Sequence, residues 1–105
     1  DGIFIHLGFK PAWVMVKRTD QVSAEPWAIY DNVRDEAGNP NNKGLYANDD
    51  SINNDASGRY KDFLSNGFKV RGTSGEQNSN GGNYIYAAFA EAPTVNLYGA
   101  QSNAR

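Results

Sequence analysis

Four glutamates, eight aspartates, one histidine and no cysteine are the groups with which this chain could do chemistry. His6 is the only histidine, so a Ser–His–Asp arrangement would have to use it. It stands in the apolar run Gly2-Ile3-Phe4-Ile5-His6-Leu7, where a histidine more often packs or hydrogen-bonds than catalyses. Glycoside hydrolysis needs two carboxyls held about 5–10 Å apart across a sugar bond. The glutamates Glu25, Glu36, Glu76 and Glu91 lie far apart in sequence and form no paired-acid motif. No catalytic residue is therefore expected, and the chain reads as a non-enzyme. Without cysteine there are no disulfides, no thiolate chemistry and no Cys-based zinc sites.

Oxygen donors are plentiful. Asp49, Asp50, Asn53 and Asp55 are of the type calcium prefers, but Ile52 interrupts them and no terminal glutamate follows as in an EF-hand loop. Asp49, Asp50 and Asp55 are the one candidate set for Ca2+; otherwise no cofactor is expected. The simpler account is that Asp and Asn are there because they tolerate loop geometry. Gly72-Thr73-Ser74-Gly75 and Gly81-Gly82 lack the lysine and helix of a phosphate loop and read as turns. What remains is sugar-binding chemistry, with an aromatic face against a pyranose and Asn or Asp on its hydroxyls. Tyr46 beside Asp49, Asp50 and Asn53 is the candidate ligand site.

The elements that would position these groups are strands. Gly8 to Arg18 organises the chain: Pro11 fixes its own φ and pushes Lys10 into extended geometry. Trp13-Val14-Met15-Val16 is a short continuous apolar run, the pattern of a central strand covered on both faces. Further strands are expected at Gly2–Leu7, Trp27–Tyr30, Leu45–Asn48, Tyr60–Leu64, Phe68–Arg71 and Tyr84–Glu91. Trp27–Tyr30 should pair with the central run. Asn66-Gly67 between apolar runs is a hairpin signal, because both residues tolerate positive φ. Phe68 and Val70 alternate with Lys69 and Arg71, predicting one wet face. Trp13 and Trp27 are expected in the core. No capped helix with a 3.6-residue apolar stripe is visible. Polar loops at 19–26, 32–44, 49–59 and 73–83 separate the strands. The fold class is all-β, an antiparallel β-sandwich.

Length gives one domain, taken as 1–93, with 94–105 as an extended C-terminal arm. Aromatics are 12% of residues and supply much of the core at roughly 150–250 Å² each. Net charge is −2 with both signs interspersed, which disfavours nucleic acid as a partner. No apolar run reaches the length of a membrane-spanning helix. The chain begins at Asp1 in what reads as a turn into a strand, so a longer polypeptide, cut on the N-terminal side of the sandwich, is expected.

Four blocks carry a family resemblance: His6 to Asp20, Trp27 to Asp31, Asp62 to Gly72 and Asn83 to Pro93. In this order and spacing the chain resembles a C-terminal domain common in virion structural proteins of tailed bacteriophages, especially tail fibres. That domain is related in architecture to the concanavalin A-like (LamG-type) jelly rolls. The resemblance implies a jelly roll, a place on the virion, other virion subunits as partners, and a homo-oligomer, by family habit a trimer. It also implies a lectin-like, non-enzymatic role in host attachment, with a surface glycan as ligand. Concanavalin-like glucanases carry a Glu-x-Asp-x-Glu strand that this sequence lacks. The competing expectation is a capsid-decoration or tail-structural domain, with Val95, Leu97 and Tyr98 of the arm as subunit contacts. A glycan-cleaving enzyme is the least favoured alternative.

Overall fold

A computed structural model describes residues 2–22, 25–36, 38–50 and 58–91. Strand β1 is Phe4–His6, β2 Pro11–Arg18, β3 Ala28–Asp31 and β4 Leu45–Tyr46. β5 is Lys61–Leu64, β6 Gly67–Val70, and β7 Tyr84–Ala90, with one helical turn, α1, at Gly75–Asn78. Two antiparallel sheets result, one of order β1-β6-β5 and one of order β4-β3-β2-β7. This is the all-β sandwich that the strand pattern predicts.

The core lies between the sheets. Val14, Val16, Ala28 and Tyr30 of the four-stranded sheet meet Phe63, Phe68 and Val70 of the three-stranded one. The period-2 alternation of β6 holds, with Phe68 and Val70 buried while Lys69 is half-exposed. The aromatic payload is placed differently from the expectation. Tyr30, Phe63 and Phe68 fill the core, whereas Trp13 and Trp27 are only half-buried. Trp13 points to the opposite side of β2 from Val14 and Val16, and its ring meets Phe89 edge-on with centroids 5.3 Å apart.

β2 is central in its sheet, flanked by β3 and β7, but its outer face has no second layer among the described residues. On that face the register aligns Met15 with Ile29 and Ala87, and Ile29 with Leu45. Leu45, Ile85 and Phe89 are 45%, 51% and 63% exposed. The continuous apolar run thus serves one buried face and one open apolar face, rather than two covered ones.

The β5–β6 hairpin forms where Asn66-Gly67 predicted it, for a different reason. Leu64 pairs with Gly67, leaving Ser65 and Asn66 as the loop, and neither Asn66 nor Gly67 has positive φ. Gly67 is needed because a Cβ there would sit 2.0 Å from the Ile5 carbonyl oxygen of β1. The turn α1, in the loop expected at 73–83, was not foreseen. Arg18 holds it by donating to the Gly75 carbonyl (2.8 Å), as does the Tyr84 hydroxyl (2.8 Å).

Candidate functional site

The sequence-predicted site is only partly assembled. Tyr46 ends β4 half-buried against the core, and the Arg59 guanidinium lies 5.6 Å from its ring centroid. That cation occupies the ring surroundings on which a sugar was expected to stack. The Asp49 N–H donates to the Tyr46 carbonyl (3.4 Å), and the Asp49 and Asp50 side chains are exposed. Asn53, Asp55, Val95, Leu97 and Tyr98 lie outside the described residues, so the Ca2+ set and the subunit-contact set are not laid out here. Among the described residues no group of three or more His, Cys, Asp or Glu side chains could hold a metal ion. His6 is exposed, with its ring tilted 6.4 Å from that of Phe4. Glu76 pairs with Arg59 (2.6 Å) and Glu91 with Lys10 (3.3 Å).

A different region gathers polar side chains, at the chain reversal after β3. Asp31 closes β3 and accepts from the Val33 N–H (3.0 Å), the Arg34 N–H (2.8 Å) and the Arg34 guanidinium. Burial works against its charge, but these donors outweigh burial and hold the carboxyl below its ordinary value. The chain then returns along the edge of β5. Asn39 acts as a strand surrogate, its amide donating to the Phe63 carbonyl (2.9 Å) and accepting the Phe63 N–H (2.8 Å). Asn41 exchanges both backbone hydrogen bonds with Lys61. These contacts anchor the Asn39–Pro40 turn to β5 as a ridge.

Two clefts adjoin that ridge, and Asn39 lines both. The first, of about 210 Å³, is lined by Lys10, Asn32, Asp35, Gly38, Asn39, Asn41, Phe63 and Glu91. Asn41 is 3% exposed. Its Nδ2 donates to the Asp31 carbonyl, which settles the orientation of the amide. Its Oδ1 is buried and accepts no hydrogen bond. Leaving such an acceptor unmatched costs about 1–3 kcal/mol. Asp35, 6% exposed, accepts the Asn42 N–H (2.9 Å), and Glu91 accepts from Asn32 (2.6 Å). The second cleft, about 410 Å³, is lined by Asn39, Pro40, Tyr60, Asp62 and Arg71, with Arg71 paired to Asp62 at 2.9 Å. One side therefore offers acceptors to a hydroxyl-bearing ligand, and the other a half-buried phenol ring beside an ion pair. Sequence reasoning saw Gly38-Asn39-Pro40-Asn41-Asn42 only as turn formers; its density of amides was the available signal.

The interior holds a second buried polar group. Lys61 is fully buried; its Nζ donates to Gln77 Oε1 and lies 3.8 Å from the Tyr30 ring centroid. Gln77 Nε2 donates to the Tyr30 hydroxyl (2.7 Å). Burial lowers the Lys61 amine well below its ordinary value, with Arg59 adding to the effect and Glu76 opposing it. Burial likewise pushes the Tyr30 phenol well above its own.

The chain is thus a small antiparallel sandwich with two polar clefts lined largely by loop residues, the kind of segment on which binding residues more often lie. The chain belongs to the family described as Domain of unknown function (DUF7483), whose model matches residues 1–93. No curated protein and no solved structure matches the chain.

Proposed function

We propose that this domain is a non-enzymatic module of a tailed-phage virion protein, of the tail-fibre type, that attaches to a host-surface glycan. The observation that carries the reading is the first cleft, whose lining gathers the amides and carboxylates of Asn32, Asp35, Asn39, Asn41 and Glu91. Sugar hydroxyls supply donors in that density. The four sequence blocks support the virion setting. The test is exposure of the purified domain to host polysaccharide, with binding and released reducing ends followed together. Binding without release is the expected result; depolymerisation would sink the non-enzymatic reading.

A second reading, a decoration or tail-structural domain acting through subunit contacts, draws on the open apolar face around Leu45, Ile85 and Phe89. It expects Phe89→Lys to lower the oligomer mass seen by light scattering. An unchanged mass would count against it.

A further inference from the structure

We infer that the ligand is a neutral oligosaccharide lying across the Asn39–Pro40 ridge, one sugar in the Asn41 cleft and another stacked on Tyr60. This rests on the glycan-binding reading above and names the class of sugar and its length. Three observations carry it. Asn39 lines both clefts, so a ligand that leaves the first over the ridge enters the second. The first cleft, about 210 Å³, falls below the span of about 300–1,000 Å³ usual for small-molecule sites. A ligand held there alone would be a single small ring, and the aromatic partner for stacking is on the other side. Tyr60 provides it, with a flat apolar ring that ends in a hydroxyl.

Charge decides the class of sugar. The two clefts together present the carboxylates Asp35, Glu91 and Asp62 against the cations Lys10 and Arg71. Lys10 is tied to Glu91 and Arg71 to Asp62. Uronic or sialic carboxylates would meet a net negative lining and would have to break one of these pairs. Neutral hydroxyls instead donate to the carboxylates in place.

The experiment is a printed array of neutral and acidic oligosaccharides of one to six units, followed by amide NMR titration of the chain with its neutral hits. Affinity is expected to rise roughly tenfold from one sugar to three, as the stacking contact is added. Shifts should gather at the Asn39, Asn41 and Tyr60 signals. Tyr60→Ala is expected to remove the length dependence and keep the single-sugar shifts at Asn41. Should Tyr60→Ala fail to fold, Arg71→Ala, an exposed position, is expected to weaken trisaccharide binding alone. An array with only acidic hits, or neutral hits whose shifts gather at Tyr46 to Asp50, overturns the inference and leaves glycan attachment standing. An array with no hits overturns both.

Discussion

Two carboxamides are buried among the described residues, and they are treated differently. Gln77, 4% exposed, is satisfied at both ends, with its oxygen on Lys61 and its nitrogen on Tyr30. Asn41, 3% exposed, is satisfied at its nitrogen and open at its oxygen. The first closes a network joining the two sheets, because Lys61 belongs to β5 and Tyr30 to β3. The second lies where a loop ridge meets a cleft. A fully matched buried amide stabilises a fold, whereas a half-matched one contributes less and leaves an acceptor that the fold's own hydrogen bonds do not account for. The contrast separates the network that joins the two sheets from the region in which the proposed ligand site lies.

The sharpest way to break the contrast is to delete each carboxamide. Gln77→Ala strands the Lys61 amine and the Tyr30 hydroxyl together in the core, and should cost about 2–5 kcal/mol. Asn41→Ala loses one hydrogen bond but also removes an acceptor that was already unmatched. Its cost should be about 1 kcal/mol or less. Urea denaturation of the two variants measures the difference. Equal costs would mean that Asn41 Oδ1 is as well matched as Gln77 and that the cleft has no special acceptor.

The interior network also predicts a pH dependence. Lys61 is held below its ordinary value of 10.5 in the folded state, so the unfolded chain binds the proton more readily. Stability from this group is full above pH 10.5 and is lost as pH falls toward the folded value. Tyr30 has the opposite sign. Its phenol is raised above 10.0, so its contribution is full below pH 10 and is lost as pH climbs above it. Stability should therefore rise from neutral pH to around pH 10 with a slope of at most about 1.4 kcal/mol per pH unit, then turn over. Lys61→Met should abolish the rising limb and keep the fall. A flat wild-type profile between pH 7 and 10 would show that Lys61 is charged in the fold.

The same contrast explains what was legible in the sequence. Strands show because their signal is local: Phe68 and Val70 alternate with Lys69 and Arg71, and both faces can be read from four residues. The hairpin at Asn66-Gly67 was legible by residue type, although its glycine serves close approach to β1 rather than positive φ. Lys61 reads as an ordinary solvated charge, because its partner Gln77 comes 16 residues later and from a turn with no helix signature. The exposure of Trp13 is not legible locally, because an apolar run does not say which of its two faces is covered. The clefts draw on segments from Lys10 to Glu91, so no window of sequence contains them. Tyr46 stands out in the sequence for its acidic neighbours, and nothing local announces that Arg59 lies over its ring.

The smallest expected effect on stability is also the one that best isolates ligand binding. Arg71 and Asp62 form an ion pair on the rim of the second cleft, with side chains 44% and 14% exposed. A pair so open to water contributes about 0–1 kcal/mol, since screening and side-chain entropy offset most of the attraction. Arg71→Ala and Asp62→Ala, separately and together, should therefore shift the urea midpoint little, with a coupling energy under about 1 kcal/mol. Their effect on a bound neutral trisaccharide should be larger than their effect on folding, because both groups line the second cleft with Tyr60, the proposed stacking partner. Asn41→Ala, across the ridge, should weaken single sugars and trisaccharides alike, whereas the Arg71 and Asp62 variants should touch only the longer ligand. If all three variants weakened both ligands by the same factor, the clefts would be acting as one site and the division at Asn39 would have no functional meaning.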